Sequence, residues 1–189
     1  FPMTSPLINS SNGHYYEFVA ANTSWSAALQ ASASKTYKGM VGYLVTLTGS
    51  QEQQFVTNYL NSFGYAQPAY FWAGGSDKDA EGTWTWASGP EAGTLISLGY
   101  SNWFPGGVGY DSQPNGTRVQ AVRDEDGLVL DSSWNYQWAD LPTDDIGFQS
   151  GEFVQGYVVE YGGMPATYRI TKTGTSVNEG SSITFSVYT

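Results

Sequence analysis

Apolar and polar positions in the first third of the chain follow two different periods. Residues 14–19 (HYYEFV) alternate as expected for a half-buried strand, and residues 42–48 (GYLVTLT) form an apolar run of strand length. Between them, residues 22–37 (NTSWSAALQASASKTY) have helical spacing, and either Thr23 or Ser24 can serve as the N-cap. The predicted helical stripe consists of Trp25, Ala28, Leu29 and Ser32.

A second helix is predicted over residues 49–64 (GSQEQQFVTNYLNSFG). Ser50 followed three residues later by Gln53 matches a capping box, with Ser50 as the N-cap. Gly64 is the residue type that commonly ends a helix, because it adopts a left-handed backbone without strain. The predicted buried stripe consists of Phe55, Val56, Tyr59 and Leu60.

The rest of the chain lacks helical periodicity. Short apolar or alternating runs predict strands, whereas residues 88–117 contain many Gly, Pro, Asn and Ser residues without periodicity. A connection of this length without regular structure is unusual in a compact domain and is commonly functional. Two helices early in the chain, followed by strands and one long loop, predict an α+β domain. The later strands are predicted at residues 69–75, 82–88, 118–123, 127–131 and 156–162.

The two ends of the chain differ in character from the middle. Residues 1–12 are polar and contain prolines, which predicts an N-terminal lead-in before a main domain at residues 13–162. Residues 163–189 begin with a Gly-Met-Pro junction and continue with two alternating β runs. These runs predict either the truncated start of a β-sandwich domain or a hairpin that packs back on the main domain.

The charge balance limits the classes of partner. The chain has 17 acidic and 7 basic residues, for a formal net charge of −10. Nucleic-acid binding requires Lys and Arg to neutralise phosphates, so we exclude nucleic acid as a partner. The acid excess suits a secreted protein, a saline habitat or a cation site, or serves solubility alone. No apolar run approaches the ~18 residues of a membrane span, so we expect no membrane insertion.

Cysteine is absent, and His14 is the single histidine. These counts exclude disulfides, thiolate zinc sites and thiolate catalysis. Any Ser-His-Asp or histidine-based site would need His14, which lies in an alternating run. We therefore interpret His14 as a strand residue rather than a catalytic base.

Several segments resemble the C-type lectin-like domain in their order and spacing. The most specific is FWAGGSDKDAEGTWTWASG at residues 71–89, and the similarity covers residues 13–162. The resemblance implies two helices, small antiparallel sheets and a long ligand-binding loop, in the cysteine-free type found in bacteria and phages. The other similar segments are SWSAALQAS, GYLVTLTGSQEQQFV, YSNWFPG, WADLP and GYVVEYG.

The family usually has two disulfides, and this sequence has neither. The resemblance places Ser32 and Val159 at one cysteine pair, and Thr143 with either Arg118 or Val119 at the other. A disulfide contributes about 2–4 kcal/mol, so we expect packing by the many Trp and Tyr side chains to offset the loss.

The segment SQPNG lies where the family carries the tripeptide that selects sugars through a calcium ion. The resemblance implies Gln113, Asn115 and Asp140 as calcium and sugar ligands, with a cis bond before Pro114. Ala139 replaces an Asn ligand of the family, and the family's additional Glu ligand has no clear counterpart here. Acids of the flanking loops could compensate, namely Asp111, Asp144 and Asp145. One carboxylate among three ligands predicts weak calcium binding, and the alternative is a turn in a metal-free domain.

A second candidate calcium site lies in the segment SDKDAEG. Asp77 and Glu81 match acids that hold an auxiliary calcium in some family members. The other acids that the family carries for this site, around the end of the long loop, are missing. The alternative interpretation is a solvated acidic turn before Gly82.

Three aromatic residues of the long loop are candidates for different roles. Phe104 and Tyr110 are predicted to contact ligand, because aromatic rings stack on sugars without a metal. Trp103 lies at the position of a buried loop anchor in the family, so we expect it in the core.

These features predict a non-enzymatic, extracellular binding module that recognises a glycan or cell-surface receptor. Its parent would be a larger adhesin or surface protein with further domains, on a cell surface or a virion. The alternative hypothesis is a metal-independent structural or protein-interaction domain of a phage or virion receptor-binding protein. A two-carboxylate glycosidase is disfavoured because no acidic pair in the sequence is set apart for that role.

Overall fold

The computed structural model describes residues 5–115, 124–143 and 154–163. Within these ranges the chain has two α-helices, α1 (Trp25–Ala33) and α2 (Ser50–Asn61). The strands predicted at residues 118–123 and the β runs after residue 163 lie outside the described residues. The described strands are β1 (Leu7–Ile8), β2 (Tyr15–Ala20), β3 (Thr36–Tyr37), β4 (Met40–Val41), β5 (Tyr43–Leu44), β6 (Tyr70–Ser76), β7 (Thr85–Trp86), β8 (Gly127–Asp131), β9 (Gln137–Leu141) and β10 (Val154–Tyr161).

Eight of these strands form one sheet in the order β1-β2-β10-β6-β8-β9, with β5 beside β10 and β7 beside β6. The β10–β6 pair is parallel and the other pairs are antiparallel. Strands β3 and β4 form a separate two-stranded antiparallel sheet. Two helices with a mostly antiparallel sheet confirm the α+β prediction. Strand β1 lies within the segment that the sequence assigned to a lead-in.

Helix α1 is shorter than the sequence predicted. Its N-cap is Ser24, whose side chain accepts a hydrogen bond from the backbone N–H of Ala27 at 3.2 Å. The helix ends at Ala33, and residues 36–37 pair with β4 instead of continuing the helix. The predicted N-cap position is therefore confirmed, whereas the last turn is replaced by a hairpin.

Helix α2 begins differently from the predicted capping box. Its N-cap is Gly49 and makes no side-chain hydrogen bond, so the prediction that Ser50 is the N-cap was wrong. The Gln53 amide is buried and accepts a hydrogen bond from the indole Nε1 of Trp138 at 2.7 Å. Glu52 reaches back instead, accepting from the backbone N–H of Thr48 at 2.8 Å. Gln53 therefore serves as a hydrogen-bond acceptor in the core, and Glu52 accepts the backbone N–H of Thr48 just before the helix.

The sheet separates two apolar clusters, and each helix contributes to one of them. Val56 and Leu60 of α2 are fully buried in the first cluster, while Phe55 and Tyr59 pack partly buried at its edge. Trp25 and Ala28 of α1 belong to the second cluster. Neither described helix is long and apolar enough to cross a membrane.

The positions that the resemblance assigned to one disulfide lie close together. A side chain at Gly42 would place its Cβ 2.8 Å from the Ser32 carbonyl oxygen and 2.8 Å from a Val159 methyl group. Helix α1 and strand β10 therefore meet across a glycine rather than a covalent cross-link.

The capping assignment predicts that two serine substitutions lower the free energy of unfolding by different amounts. Ser24→Ala should lower the free energy of unfolding by about 1 kcal/mol, because an orphan N–H loses its acceptor. Ser50→Ala should change it by less than about 0.5 kcal/mol, because the exposed Ser50 is a helical residue rather than a cap. Urea unfolding of both variants measures the difference, and equal losses would contradict the assignment.

Candidate functional site

Backbone hydrogen bonds hold the long loop against strand β9. Trp138 N–H donates to the Asn102 carbonyl at 2.9 Å, and Phe104 N–H donates to the Trp138 carbonyl at 3.0 Å. Further along the loop, Gln113 N–H donates to the Phe104 carbonyl at 2.8 Å. Residues 102–113 of the loop are therefore placed relative to β9, a strand that the sequence pattern did not predict.

The three loop-site residues implied by the resemblance come together at this edge of the sheet. Asn115 N–H donates to both carboxylate oxygens of Asp140, at 3.3 and 3.1 Å. Asp140 N–H lies 3.5 Å from the side-chain oxygen of Gln113. The Gln113–Pro114 peptide bond is cis, as the resemblance implied. The backbone of Asn115 and the side-chain oxygen of Gln113 thus both lie against Asp140.

The environments of these side chains differ. Asp140 is 2% exposed, Gln113 is half-buried and Asn115 is exposed. Ala139 is buried in the α1-side cluster, so the residue before Asp140 contributes to the core and supplies no oxygen ligand. Two amide oxygens and one carboxylate are donors of the type that calcium takes, with Asp140 as the single acid.

Asp77 forms the centre of a second acidic region. Its carboxyl group is 4% exposed and accepts from Gly82 N–H at 2.9 Å through Oδ2. Its Oδ1 is buried and has no hydrogen-bond partner among the described residues. Burial, followed by the nearby charges of Asp126 and Asp140, raises the pKa of Asp77. An orphaned carboxylate oxygen among like charges is the environment that a bound cation would relieve.

Asp124 and Asp126, which directly precede β8, are two further acids of this region. Desolvation raises the pKa of the exposed Glu81, and Asp77, Asp124 and Asp126 add to the rise. The sequence pattern indicated no further acids for this site, whereas the charges of Asp124 and Asp126 act on it in the structure. The signal was present in the acidic run 124–126 directly before β8. The pairing of β8 with β6 brings this run close to Asp77, because β6 ends one residue before Asp77. The local sequence does not show that pairing.

The loop aromatics form a stack that includes a residue missed by sequence reasoning. Phe104 stacks on Trp134 with ring centroids 3.9 Å apart and planes 9° from parallel. Tyr110 meets Trp134 edge-on at 5.8 Å and is 63% exposed. Trp103 packs edge-on against Trp138, in keeping with its expected anchoring role. Tyr110 therefore presents an aromatic surface to solvent beside the stacked rings of Phe104 and Trp134.

A buried network of ionisable groups lies beneath the other end of the sheet. His14 Nδ1 lies 2.6 Å from Glu160 Oε1, and the Tyr16 hydroxyl donates to Glu52 Oε1 at 2.6 Å. In residues 5–115, 124–143 and 154–163, this is the one group of three acidic or histidine side chains whose ligand atoms all lie within 4.8 Å. Glu160 also accepts from Thr46 N–H at 3.1 Å. The network joins β2, β10 and α2 through satisfied hydrogen bonds, so we interpret it as structural.

Comparison with known proteins identifies the family and the fold. The family described as the Lectin C-type domain matches residues 22–140. Halomucin of Haloquadratum walsbyi is 32% identical over 161 residues, which are 85% of this chain and 2% of halomucin. A perlucin-like protein of Mytilus galloprovincialis is 32% identical over 118 residues, which are 61% of this chain and 65% of that protein. The chain therefore spans less than two thirds of the length of both relatives.

Solved structures support the same fold. The C-type lectin CEL-I from Cucumaria echinata superposes with a TM-score of 0.58 at 22% identity, over 79% of this chain and 90% of that one. Human lithostathine superposes with a TM-score of 0.55 at 22% identity, over 81% of this chain and 86% of that one. The C-type lectin-like fold expected from the motifs is confirmed.

The buried network predicts that stability falls as pH rises from 5 to 8. Burial, then the charge of Glu160, raises the pKa of Glu52 from 4.5 to about 7, so the folded state holds its proton more tightly than the unfolded chain. Its stabilising contribution is present below pH 4.5 and is lost towards pH 7. The hydrogen bond to Glu160 raises the pKa of His14 above 6.5, and that contribution is also lost as pH rises through the raised value.

Urea unfolding at several pH values measures this slope. Glu52→Gln should flatten it, because the amide mimics the protonated acid, whereas Asp79→Asn on the exposed surface should leave it unchanged. A stability that increases from pH 5 to pH 8 would contradict the prediction.

Proposed function

The chain belongs to the C-type lectin domain family, and we propose that it binds glycans through its long loop at Gln113, Asn115 and Asp140. The family consists of non-enzymatic binding modules, so the site is expected to hold a ligand without transforming it. The observation that carries the proposal is that both loop residues contact Asp140, Asn115 through its backbone N–H to the buried carboxylate and Gln113 through its side-chain oxygen to the Asp140 N–H. Amide and carboxylate groups are also the groups that hydrogen-bond sugar hydroxyls.

Calcium is the proposed cofactor of this loop. Gln113, Asn115 and Asp140 would hold it, and the ion would supply open coordination positions for sugar hydroxyls. Asp140 brings the charge, while the two amides bring neutral oxygens. Because the chain's own ligands are few, we expect weaker binding than at a site with several carboxylates.

The acidic region around Asp77 is the proposed auxiliary calcium site. Asp77 would hold the ion through its orphaned Oδ1, with Glu81 and Asp126 as further candidates. Because the charge of Asp140 also acts on Asp77, a cation here would favour the ionised form of both residues. The auxiliary site would therefore support the sugar site electrostatically.

The aromatic stack is proposed as the apolar side of the sugar site. Tyr110 and Phe104 lie on the loop segment that hydrogen-bonds to Gln113, and Trp134 supports both rings. The carbon–hydrogen face of a pyranose is apolar and stacks on aromatic rings. A sugar held by its hydroxyls at Asp140 could thus cover Tyr110.

We place this module outside the cell, at a cell surface, within a larger adhesin or surface protein. Its similarity to segments of longer relatives supports a multidomain parent. The second candidate function is a metal-independent interaction domain of a virion or phage receptor-binding protein. The fully exposed Val108 beside Tyr110, together with Ala139 in place of an oxygen ligand, favours that alternative.

Calcium should raise the melting temperature of the folded domain. At ten times Kd, mass action stabilises by about 1.4 kcal/mol, or roughly 3–6 °C for a chain of this size. Asp140→Asn and Asp77→Asn should each reduce the shift, and Gln54→Ala on the exposed face of α2 should retain it. The measurement is thermal unfolding with calcium and with chelator; the absence of a shift at millimolar calcium would remove the metal-dependent proposal.

Glycan binding should depend on the loop even if calcium does not contribute. A glycan array with and without chelator identifies a binding sugar, and Tyr110→Ala should then weaken it about five- to tenfold through lost stacking. Leu98→Ala, an exposed apolar substitution outside the loop site, is the matched control. Binding that persists in chelator favours the metal-independent candidate, and no binding to any glycan contradicts the lectin proposal.

A further inference from the structure

A pocket of about 220 Å³ lies between the start of α2 and the segment before the long-loop site. Its volume is below the ~300 Å³ typical of sites for drug-sized ligands, so it suits a single small group. None of the lining residues belongs to the proposed sugar or calcium sites. The pocket is lined by Thr48, Trp86, Glu91, Thr94, Leu95, Ile96, Leu98, Gly99 and Tyr100.

Glu91 gives the pocket a negative wall. Among the lining residues it is the only acid, and none is Lys, Arg or His. Glu91 Oε2 accepts from the Thr46 hydroxyl at 2.9 Å, and no Lys or Arg in the described part of the chain forms a salt bridge with it. The carboxylate is therefore held in place without a neutralising cation.

Two buried carboxylates lie directly behind this wall. The Thr46 hydroxyl that binds Glu91 lies 3.4 Å from Glu160 Oε2, and its single proton can serve only one of them. Thr48, which lines the pocket, donates to Glu52 through its backbone N–H and its hydroxyl. Glu91 is therefore the one carboxylate that lines the pocket, while Glu160, which pairs with His14, and Glu52 lie behind Thr46 and Thr48.

The lining residues of the pocket favour one type of ligand. An anion would be repelled by Glu91, and a neutral apolar group would desolvate that carboxylate without compensation. Trp86 and Tyr100 are aromatic, and the faces of such rings attract cations. Leu98, which is 83% exposed, and the exposed Leu95 offer apolar contact to an alkyl chain.

We propose that this pocket binds an alkylammonium group, the end of a lysine side chain that a partner protein presents. The ammonium would pair with Glu91, and the lysine methylenes would lie along Leu95 and Leu98. The site uses none of the residues proposed for glycan or calcium binding. It would give the module a protein partner in addition to its sugar ligand.

The test is a titration of the intact chain with Nα-acetyl-lysine amide at constant ionic strength, followed by chemical-shift changes of the indole N–H groups. Saturable binding in the millimolar range is expected. Nα-acetyl-norleucine amide, which lacks the ammonium, should bind at least tenfold more weakly. Tetramethylammonium should also be weaker, because it cannot donate a hydrogen bond to Glu91.

Two variants and a control separate the pocket from general attraction to an acidic protein. Glu91→Gln should weaken the lysine probe at least fivefold, and Asp79→Asn, an exposed acid outside the pocket, should not. Leu98→Lys should also weaken binding of the lysine probe. Because Leu98 is exposed, this substitution is not expected to unfold the domain. Equal binding of the lysine and norleucine probes, equal effects of Glu91→Gln and Asp79→Asn, or no saturable binding would each overturn the proposal while leaving glycan binding untouched.

Discussion

The position of the long loop depends on Trp138. Its buried indole donates to Gln53 in the core beneath α2, and its backbone N–H and carbonyl bind Asn102 and Phe104 of one loop segment. A loop with little regular structure is thereby fixed to a strand whose register is set by β8. Because side chains alternate along a strand, Trp138 and Asp140 point to the same side, while Ala139 packs in the opposite cluster. The residue that anchors the loop therefore also orients the acid of the proposed site.

Sequence patterns predicted both helices and most described strands, because these elements carry either one buried face or, as in β6 and β8, a continuous apolar run. It did not predict β9, and the turn before that strand explains the failure. The chain reverses through Asn135 and Tyr136, which have φ of 53° and 59° without a glycine to signal the turn. The N-cap of α2 was misplaced for another reason: Gln53 faces the core, where Trp138 needs an acceptor. Both β9 and the N-cap of α2 therefore depend on tertiary contacts, which a local sequence pattern does not contain.

Two groups of buried carboxylates in this fold have opposite environments. Glu160 accepts from His14, Thr46 and Tyr16, so its charge is compensated by donors of the chain itself. Asp77 has one orphaned oxygen and acidic neighbours. The motif resemblance identified Asp77 but could not distinguish these environments, since both depend on contacts between distant strands. Burial with donors indicates a structural role, whereas burial without them favours a cation site.

The absence of cysteine changes how α1 is held to the sheet. Two indole N–H groups connect the helix region with β6: Trp25 donates to the Ala73 carbonyl and Trp72 donates to the Thr23 carbonyl, both at 2.8 Å. A disulfide stabilises mainly by restricting the unfolded chain, by about 2–4 kcal/mol. Each indole hydrogen bond contributes about 1 kcal/mol to the folded state, and the burial of two large aromatic side chains adds to it. Because these interactions act on the folded state and involve no thiol, the attachment of α1 does not depend on the redox potential of its surroundings.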